Sequence, residues 1–311
     1  MKIIFFGSDD FAVLPLQTLI QNGYKISCVV TQPDRKKGRR LSLSETAVKQ
    51  AAEKFNLRIF QPERINSFQA QESLESQKAD LFIVIAYGQI LSQKILDIPE
   101  IFCINLHASL LPKYRGAAPI NWAIINGETK TGVTVMKLER KMDAGPVILQ
   151  REMAIGPRDS ALTLAEKLSG LGSGALLEAL GIIKDGKYRL TQQDEALATF
   201  APKLAKADGR INWGKSAAEV DNLIRGTAGW PGAFTSYRGK MLKVIEAAVE
   251  EAAPPQGVEP GRIAGVSSEG IVVSCASGAL AIKKLQMEGR RAMGAADFLS
   301  GHKIPRGEIL E

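Results

Sequence analysis

Two side chains able to do chemistry stand two residues apart in the stretch Phe102-Cys-Ile-Asn-Leu-His-Ala-Ser-Leu-Leu-Pro-Lys-Tyr-Arg-Gly-Ala-Ala-Pro119: the amide of Asn105 and the imidazole of His107. An amide can donate and accept hydrogen bonds and an imidazole can carry a proton, so the two could act together on one bound group. Both groups must then share a face, and a strand achieves this, because alternation points positions i and i+2 the same way. Ile101, Phe102, Cys103, Ile104 and Leu106 supply that strand as a short apolar run, the pattern of a buried parallel strand. Asn105 and His107 fall at its carboxyl end, where open parallel sheets place their ligand crevice. Leu110-Leu-Pro112 then turns the chain, and Arg115-Gly116 leads to a helix that Pro119 opens from its first turn. The spacing alone suits equally well a polar strand end whose groups cap neighbouring backbone.

The elements that must position this pair alternate strand and helix. Lys2-Ile-Ile-Phe-Phe-Gly7 reads as a buried strand ending in a glycine turn, with Ser8 or Asp9 as N-cap of an amphipathic helix over residues 11–21. The turn Gly-Ser-Asp-Asp-Phe lacks the spacing of a dinucleotide fingerprint, and its two acids would repel a pyrophosphate, which excludes NAD. Further strands are expected over residues 26–31, 57–60 and 79–88, with a helix over 45–55 between the first two. Beyond the central stretch come a helix over 118–125, strands over 132–138 and 147–152, and a long helix over 160–180. Such alternation predicts an α/β fold with a doubly wound, mostly parallel sheet.

Composition shifts near residues 201–210, a polar linker. The remainder has a short helix over 217–225, the turn Trp230-Pro-Gly, and five short β-rich segments over 233–237, 242–249, 262–267, 271–276 and 280–286, the spacing of a small barrel. The chain is thus divided into residues 1–204 and 205–311. Its 311 residues give each part enough length for its own core.

Bulk composition excludes several classes. At 45% hydrophobic and 23% charged the chain is an ordinary globular sequence, and no run approaches the roughly 20 apolar residues of a membrane span. The N-terminal apolar run is broken by Gly7 and two aspartates, unlike a signal peptide. Cys28, Cys103 and Cys275 are far apart, odd in number and set in apolar runs, so they read as reduced thiols of a cytoplasmic protein, not as a disulfide framework or metal site. The net charge of +7 hints at a polyanionic partner. Five of the six residues from Arg35 to Arg40 are cationic: Arg35, Lys36, Lys37, Arg39 and Arg40. Gly38 and the preceding Pro33 argue for an exposed, mobile loop there, which is either a solvated face or a polyanion site.

Asn-x-His-x-Ser-Leu-Leu-Pro-x-Tyr-Arg-Gly-x-x-Pro closely resembles the signature of the 10-formyltetrahydrofolate-dependent formyltransferases. That family's third catalytic residue is an aspartate in a downstream loop, and Lys141-Met-Asp-Ala-Gly145 carries Asp143 there. The resemblance implies formyl transfer to an amine. Asn105 and a protonated His107 would hold the oxyanion, Asp143 would favour the imidazolium and accept the amine proton, and no metal would be needed. It also implies that the turn Ser109, Leu110, Leu111 and Pro112, helped by Ile85, Ala86 and Tyr87, receives the pterin of 10-formyltetrahydrofolate. Lys113 and Arg115 would meet the folate tail or the acceptor end, or Arg115 would only brace the loop. The Gln-Pro-Asp-Arg entry to the basic segment and Ile59-Phe-Gln-Pro-Glu-Arg64 are similar to the members acting on initiator methionyl-tRNA, in which such a loop enters the acceptor stem. Resemblance further implies a C-terminal OB-like, tRNA-binding domain over residues 205–311 after a catalytic domain over 1–204. A monomeric cytoplasmic enzyme of translation initiation, with no obligate protein partner, is the expectation. The competing readings are a formyltransferase for a UDP-amino sugar, which shares the triad and two-domain plan, and a non-catalytic folate- or RNA-binding protein, which would be expected to have lost a triad residue. Glycinamide ribonucleotide as acceptor would leave the last hundred or so residues unexplained.

Overall fold

The structure is a computed structural model and describes residues 1–37, 42–250, 258–267, 270–302, 305 and 307–311. It divides into two compact units: residues 1–119, 130–154 and 165–201 form the first, and residues 120–129, 155–164 and 202–311 the second.

The first unit begins with β1 (Lys2–Gly7), α1 (Val13–Gln21) and β2 (Lys25–Val30). A short ribbon, β3 (Arg35–Lys37) and β4 (Ser42–Ser44), precedes α2 (Ala47–Lys54) and β5 (Ile59–Phe60). Then come α3 (Phe68–Glu75), β6 (Leu81–Ile85), α4 (Gln93–Leu96) and β7 (Phe102–His107). The short β8 (Arg115–Gly116) is followed in the chain by α5 (Pro119–Ile125), which after Pro119 belongs to the second unit, and then by β9 (Lys130–Lys137), β10 (Val147–Ala154), α6 (Ala161–Lys184), whose first four residues also belong to the second unit, and β11 (Phe200–Ala201).

Seven strands make one sheet in the order β10-β9-β7-β6-β1-β2-β5. β1 pairs in parallel with both β2 and β6, and β6 in parallel with β7, while β9 and β10 run antiparallel at one edge. The doubly wound, mostly parallel sheet is as expected from alternating elements. Its central strands have no polar face: Ile3, Ile4, Phe5 and Phe6 of β1 and Leu81, Phe82 and Ile83 of β6 are all 0% exposed. Helices on both sides demand such continuous apolar runs, and each fully buried side chain contributes about 1.5–3 kcal/mol. The order in which strands are added reverses about β1, which has β2 on one side and β6 on the other, so a crevice is expected beyond the carboxyl ends of these strands.

Helix starts follow local chemistry. Thr46 caps α2 by accepting from the Lys49 N–H at 3.1 Å, and Ser67 caps α3 by accepting from the Ala70 N–H at 3.3 Å. Asp9, one of the two expected caps, accepts from the Phe11 N–H at 3.1 Å, but the helix it opens is a short 3-10 turn before α1. Ser8 instead donates its hydroxyl to the Tyr87 carbonyl at 3.0 Å.

The basic segment differs from the open loop expected of it. Arg35, Lys36 and Lys37 pair antiparallel with Ser44, Leu43 and Ser42, so its two ends zip into a ribbon. Asp34, the near acid, is bonded to residues further along the chain. Lys49 donates to one carboxylate oxygen at 2.5 Å and Gln61 to the other at 2.8 Å, and these bonds hold the Asp34 carboxyl below its usual range. Arg39 and Arg40 lie outside the described residues.

The second unit contains α7 (Ala217–Gly226), whose Ser216 and Glu219 form a capping box, and the strands β12 (Ala233–Tyr237), β13 (Lys240–Glu250), β14 (Ile263–Ser267), β15 (Gly270–Ser274), β16 (Ala279–Met287) and β17 (Met293–Gly294), then α8 (Ala295–Gly301). The strands form an antiparallel sheet, β12-β13-β16-β15-β14, with β17 beside β16, in agreement with the β-rich C-terminal domain read from the sequence. Register shifts around Glu246 bend β13, as bulges do in coiled sheets. Trp213, Ile224, Val244, Leu280 and Ile282 are among its core residues, and the Trp213 indole N–H finds the Thr235 hydroxyl at 3.0 Å. Within this unit the Asn121 amide donates to the Gly226 carbonyl and the Arg225 guanidinium to the Asp159 carbonyl, each at 2.8 Å.

Candidate active site

β7 places Asn105 and His107 as alternation requires, two residues apart at its carboxyl end. Asn105 lies between Val84 of β6 and Met136 of β9, and His107 opposite Thr134. Among the described residues, nothing pairs with the Asn105 amide, and the side chain is only partly buried. A polar strand end serving to cap backbone would have spent that amide; here both N–H groups remain for a ligand.

His107 is different: it is 6% exposed and held by the loop that follows it. Its Nε2 lies 2.9 Å from the Tyr114 carbonyl. A carbonyl only accepts, so Nε2 carries a proton and donates it. Nδ1 is the nitrogen left to act, and it faces Asp143 Oδ2 at 3.7 Å, too long for a direct hydrogen bond. The same carboxylate oxygen accepts from the Gly116 backbone N–H at 2.8 Å. Asp143 has φ +50 and Tyr114 φ +61, so both partners of the imidazole sit in the left-handed region, where strain gathers at functional sites.

The segment between the long helix and the linker, for which no element is expected from the sequence, holds these loops. Arg115 is buried, at 2% exposure. Its Nε and Nη2 donate to Gln193 Oε1 at 3.0 and 2.8 Å, and Nη1 donates to both Glu195 oxygens at 3.0 Å. Arg115 therefore braces the loop, one of the two roles considered for it. The Gln193 amide in turn donates to the carbonyls of Asp143 at 2.9 Å and Gly145 at 2.7 Å. Arg115, then Lys141, hold the Glu195 carboxyl down at about 2. β11 lies parallel to β8, the Thr199 hydroxyl accepts from the Tyr114 N–H at 2.8 Å, and Gly116 is forced to be glycine: at φ +127 an added Cβ would come 2.5 Å from the Ala201 carbonyl oxygen. The only sequence signal for this strap was a Gln-Gln-Asp-Glu run after a helix, which has no local periodicity to mark it.

The turn expected to receive a pterin is a hydrogen-bonded frame. Ser109 donates to the Lys113 carbonyl at 2.6 Å; the Thr134 hydroxyl donates to the Ser109 carbonyl at 2.6 Å and accepts from the Leu111 N–H at 3.1 Å. The Gln150 amide donates to the Leu111 carbonyl at 2.8 Å, and the Leu111–Pro112 peptide is cis. Ser109 and Leu111 are buried, whereas Leu110 and Pro112 are partly exposed. Ile85 and Tyr87 have buried side chains, Tyr87 meeting Phe6 edge-on at 5.5 Å, while Ala86 between them is exposed at φ +46. Of these seven residues, Ala86, Leu110 and Pro112 are the ones not buried. Cys103 on β7 is a free thiol whose pKa burial pushes up, so it stays an inert core group.

Fold and sequence agree on a class, the formyl transferases: residues 1–180 match the family described as formyl transferase, and residues 203–303 match its C-terminal domain. The N-formyltransferase from Helicobacter canadensis, solved with folinic acid and dTDP-3-aminofucose, shares the fold at a TM-score of 0.69 and 18% identity, over 91% of this chain and 99% of that one. HypX from Aquifex aeolicus in complex with tetrahydrofolic acid does so at a TM-score of 0.64 and 18% identity, over 99% of this chain, which spans 50% of that longer protein. Much nearer is the methionyl-tRNA formyltransferase of Caldanaerobacter subterraneus subsp. tengcongensis, 44% identical over 312 residues that cover 100% of both chains. The chain belongs to the methionyl-tRNA formyltransferase family. It is an enzyme of formyl transfer. No helix among its described residues is long and apolar enough to cross a membrane.

Proposed function

We propose that the chain transfers the formyl group of 10-formyltetrahydrofolate to the α-amino group of methionyl initiator tRNA, in the cytoplasm, with Asn105, His107 and Asp143 as its catalytic residues. The observation that carries the assignment is the unpartnered Asn105 amide beside an imidazole whose Nδ1 faces a carboxylate across a 3.7 Å gap. The amine nitrogen attacks the formyl carbon, and the carbonyl oxygen gains negative charge. Asn105 donates to that oxygen, and His107 does so through Nδ1 when protonated; pre-aligned donors of this kind act hardest where charge develops. Asp143 accepts the amine proton directly or through one water, and a proton must reach the departing folate nitrogen as the C–N bond breaks. The Gly116 N–H keeps the carboxylate aimed while this occurs. Ala86, Leu110 and Pro112 form the walls of the pterin site, with Ser109, Leu111, Ile85 and Tyr87 as the frame behind them.

Residues 1–204 form the catalytic domain and residues 205–311 the OB-like domain that holds tRNA. Arg35, Lys36 and Lys37 of β3, with Arg39 and Arg40 further along the sequence, meet the acceptor stem. A paired base below clustered cations suits insertion along a phosphate backbone better than a free coil does, since less conformational freedom is lost on binding. The test is competition: purified protein, 10-formyltetrahydrofolate, and either initiator methionyl-tRNA or a UDP-amino sugar. Formylation of the tRNA alone supports the assignment, and formylation of the sugar overturns it.

A further inference from the structure

Gln193 bridges the two halves of the site, and its chemistry matches the task fully. A glutamine side chain offers one oxygen that accepts two hydrogen bonds and one NH2 that donates two. Here the oxygen takes two N–H groups of buried Arg115, and the NH2 holds the carbonyls on either side of Ala144. The first end is rooted in the signature loop, whose next residue, Gly116, grips the Asp143 carboxylate; the second end grips the backbone of Asp143 itself. Asp143 is thus held at both its carboxylate and its carbonyl while in the left-handed conformation at φ +50. Glutamate at this position would keep the acceptor for Arg115 and lose both donors, setting carboxylate oxygen against two carbonyls. Asparagine keeps the amide but is one methylene too short to span both ends.

We propose that Gln193 is a positioning residue for formyl transfer, fixing the Asp143 carboxylate opposite His107 Nδ1 without itself touching substrate; the proposal rests on the catalytic role assigned to Asp143 above. The anchor behind it is stable: Glu195 stays ionised at neutral pH and keeps the Arg115 charge paired.

A residue that acts on the aim of a proton acceptor affects turnover more than affinity, and a displacement of about 1 Å costs up to roughly 100-fold. Gln193→Glu and Gln193→Asn are each compared with wild type for melting temperature, kcat, and KM for both substrates. The same substitutions are repeated in an Asp143→Asn background. The fall in rate from wild type to Asp143→Asn tests the acceptor; the effect of changing Gln193 within each background tests Gln193. Expected are folded variants with kcat lower by about 10- to 100-fold for Gln193→Glu and by less for Gln193→Asn, and KM values within about threefold. In the Asp143→Asn background Gln193→Glu should change the rate by less than about threefold, because both substitutions act on one group. Near-wild-type kcat, an equal loss in both backgrounds, or failure of both variants to fold would each overturn the proposal and leave Gln193 a purely structural residue.

Discussion

Replacing Gly116 by alanine tests the frame of the site at its tightest point. The new Cβ would sit 2.5 Å from the Ala201 carbonyl oxygen, against a floor of 3.0 Å that real Cβ atoms essentially never cross. β8 and β11 must then part by about half an ångström, and at φ +127 alanine is strained wherever β11 goes. Backbone strain of about 1–3 kcal/mol and overpacking of about 1–3 kcal/mol give a loss of roughly 2–6 kcal/mol. For a unit of this size that lowers the melting temperature by roughly 5 to 25 °C. The same movement carries the Gly116 N–H away from Asp143 Oδ2, now 2.8 Å distant. A hydrogen bond to a charged group is worth about 1.5–3 kcal/mol, so turnover should fall by roughly 10- to 100-fold if that bond is needed in the transition state. Thermal unfolding followed by circular dichroism, with formylation rates below the variant's melting temperature, reads both effects. A melting temperature within about 1 °C of wild type together with full turnover would refute the reasoning, since either the close approach or its role would be wrong.

Three further outcomes are expected. Changing Arg39 and Arg40 together to alanine should weaken tRNA binding and flatten the dependence of log K on log salt by roughly one unit for each phosphate no longer neutralised, with folate binding unchanged; superimposed lines from a salt series would return the segment to a solvated face. Glu195 has its pKa lowered from 4.5 to about 2 by Arg115 and Lys141, so its contribution is present above about pH 4.5 and lost as pH falls towards 2. Acid titration of stability should accordingly be shallower across that window in Glu195→Gln than in wild type, and identical slopes would contradict the pairing. Finally, Arg115→Lys should lose stability and turnover despite conserved charge, because one ammonium cannot reach both Gln193 and the two Glu195 oxygens; unchanged melting and kcat would show the fork to be dispensable.

What could be read in the sequence was whatever is local. β7 and its Asn105/His107 pair follow from an apolar run and an i, i+2 spacing, and the parallel sheet from alternating elements. Asp143 was legible only through a family resemblance, since an aspartate before a glycine turn has no periodicity of its own. α3 escaped because only Ala70 and Leu74 of its eight residues are buried, too few for an apolar stripe. The strap escaped for a different reason: Arg115 meets Gln193 and Glu195 across 78 and 80 residues, a pairing that tertiary structure alone creates. The basic segment takes a different form from the one its composition suggests, because cation density argues for an open coil while the Ser42-Leu-Ser44 stretch supplies a partner strand.

The central claim is that Asn105, His107 and Asp143 act on the formyl group of one substrate and the amine of the other, and single-turnover transfer measures it most directly. With enzyme in excess over initiator methionyl-tRNA and saturating 10-formyltetrahydrofolate, Asn105→Ala should slow the chemical step by about 10² to 10³-fold, the usual cost of one lost oxyanion donor. Dissociation constants for both substrates should stay near wild type, and Asn105→Ala combined with His107→Ala should lose less than the product of the single effects. A chemical step of wild-type speed in folded Asn105→Ala protein would contradict the account, as would a loss expressed wholly as weaker binding.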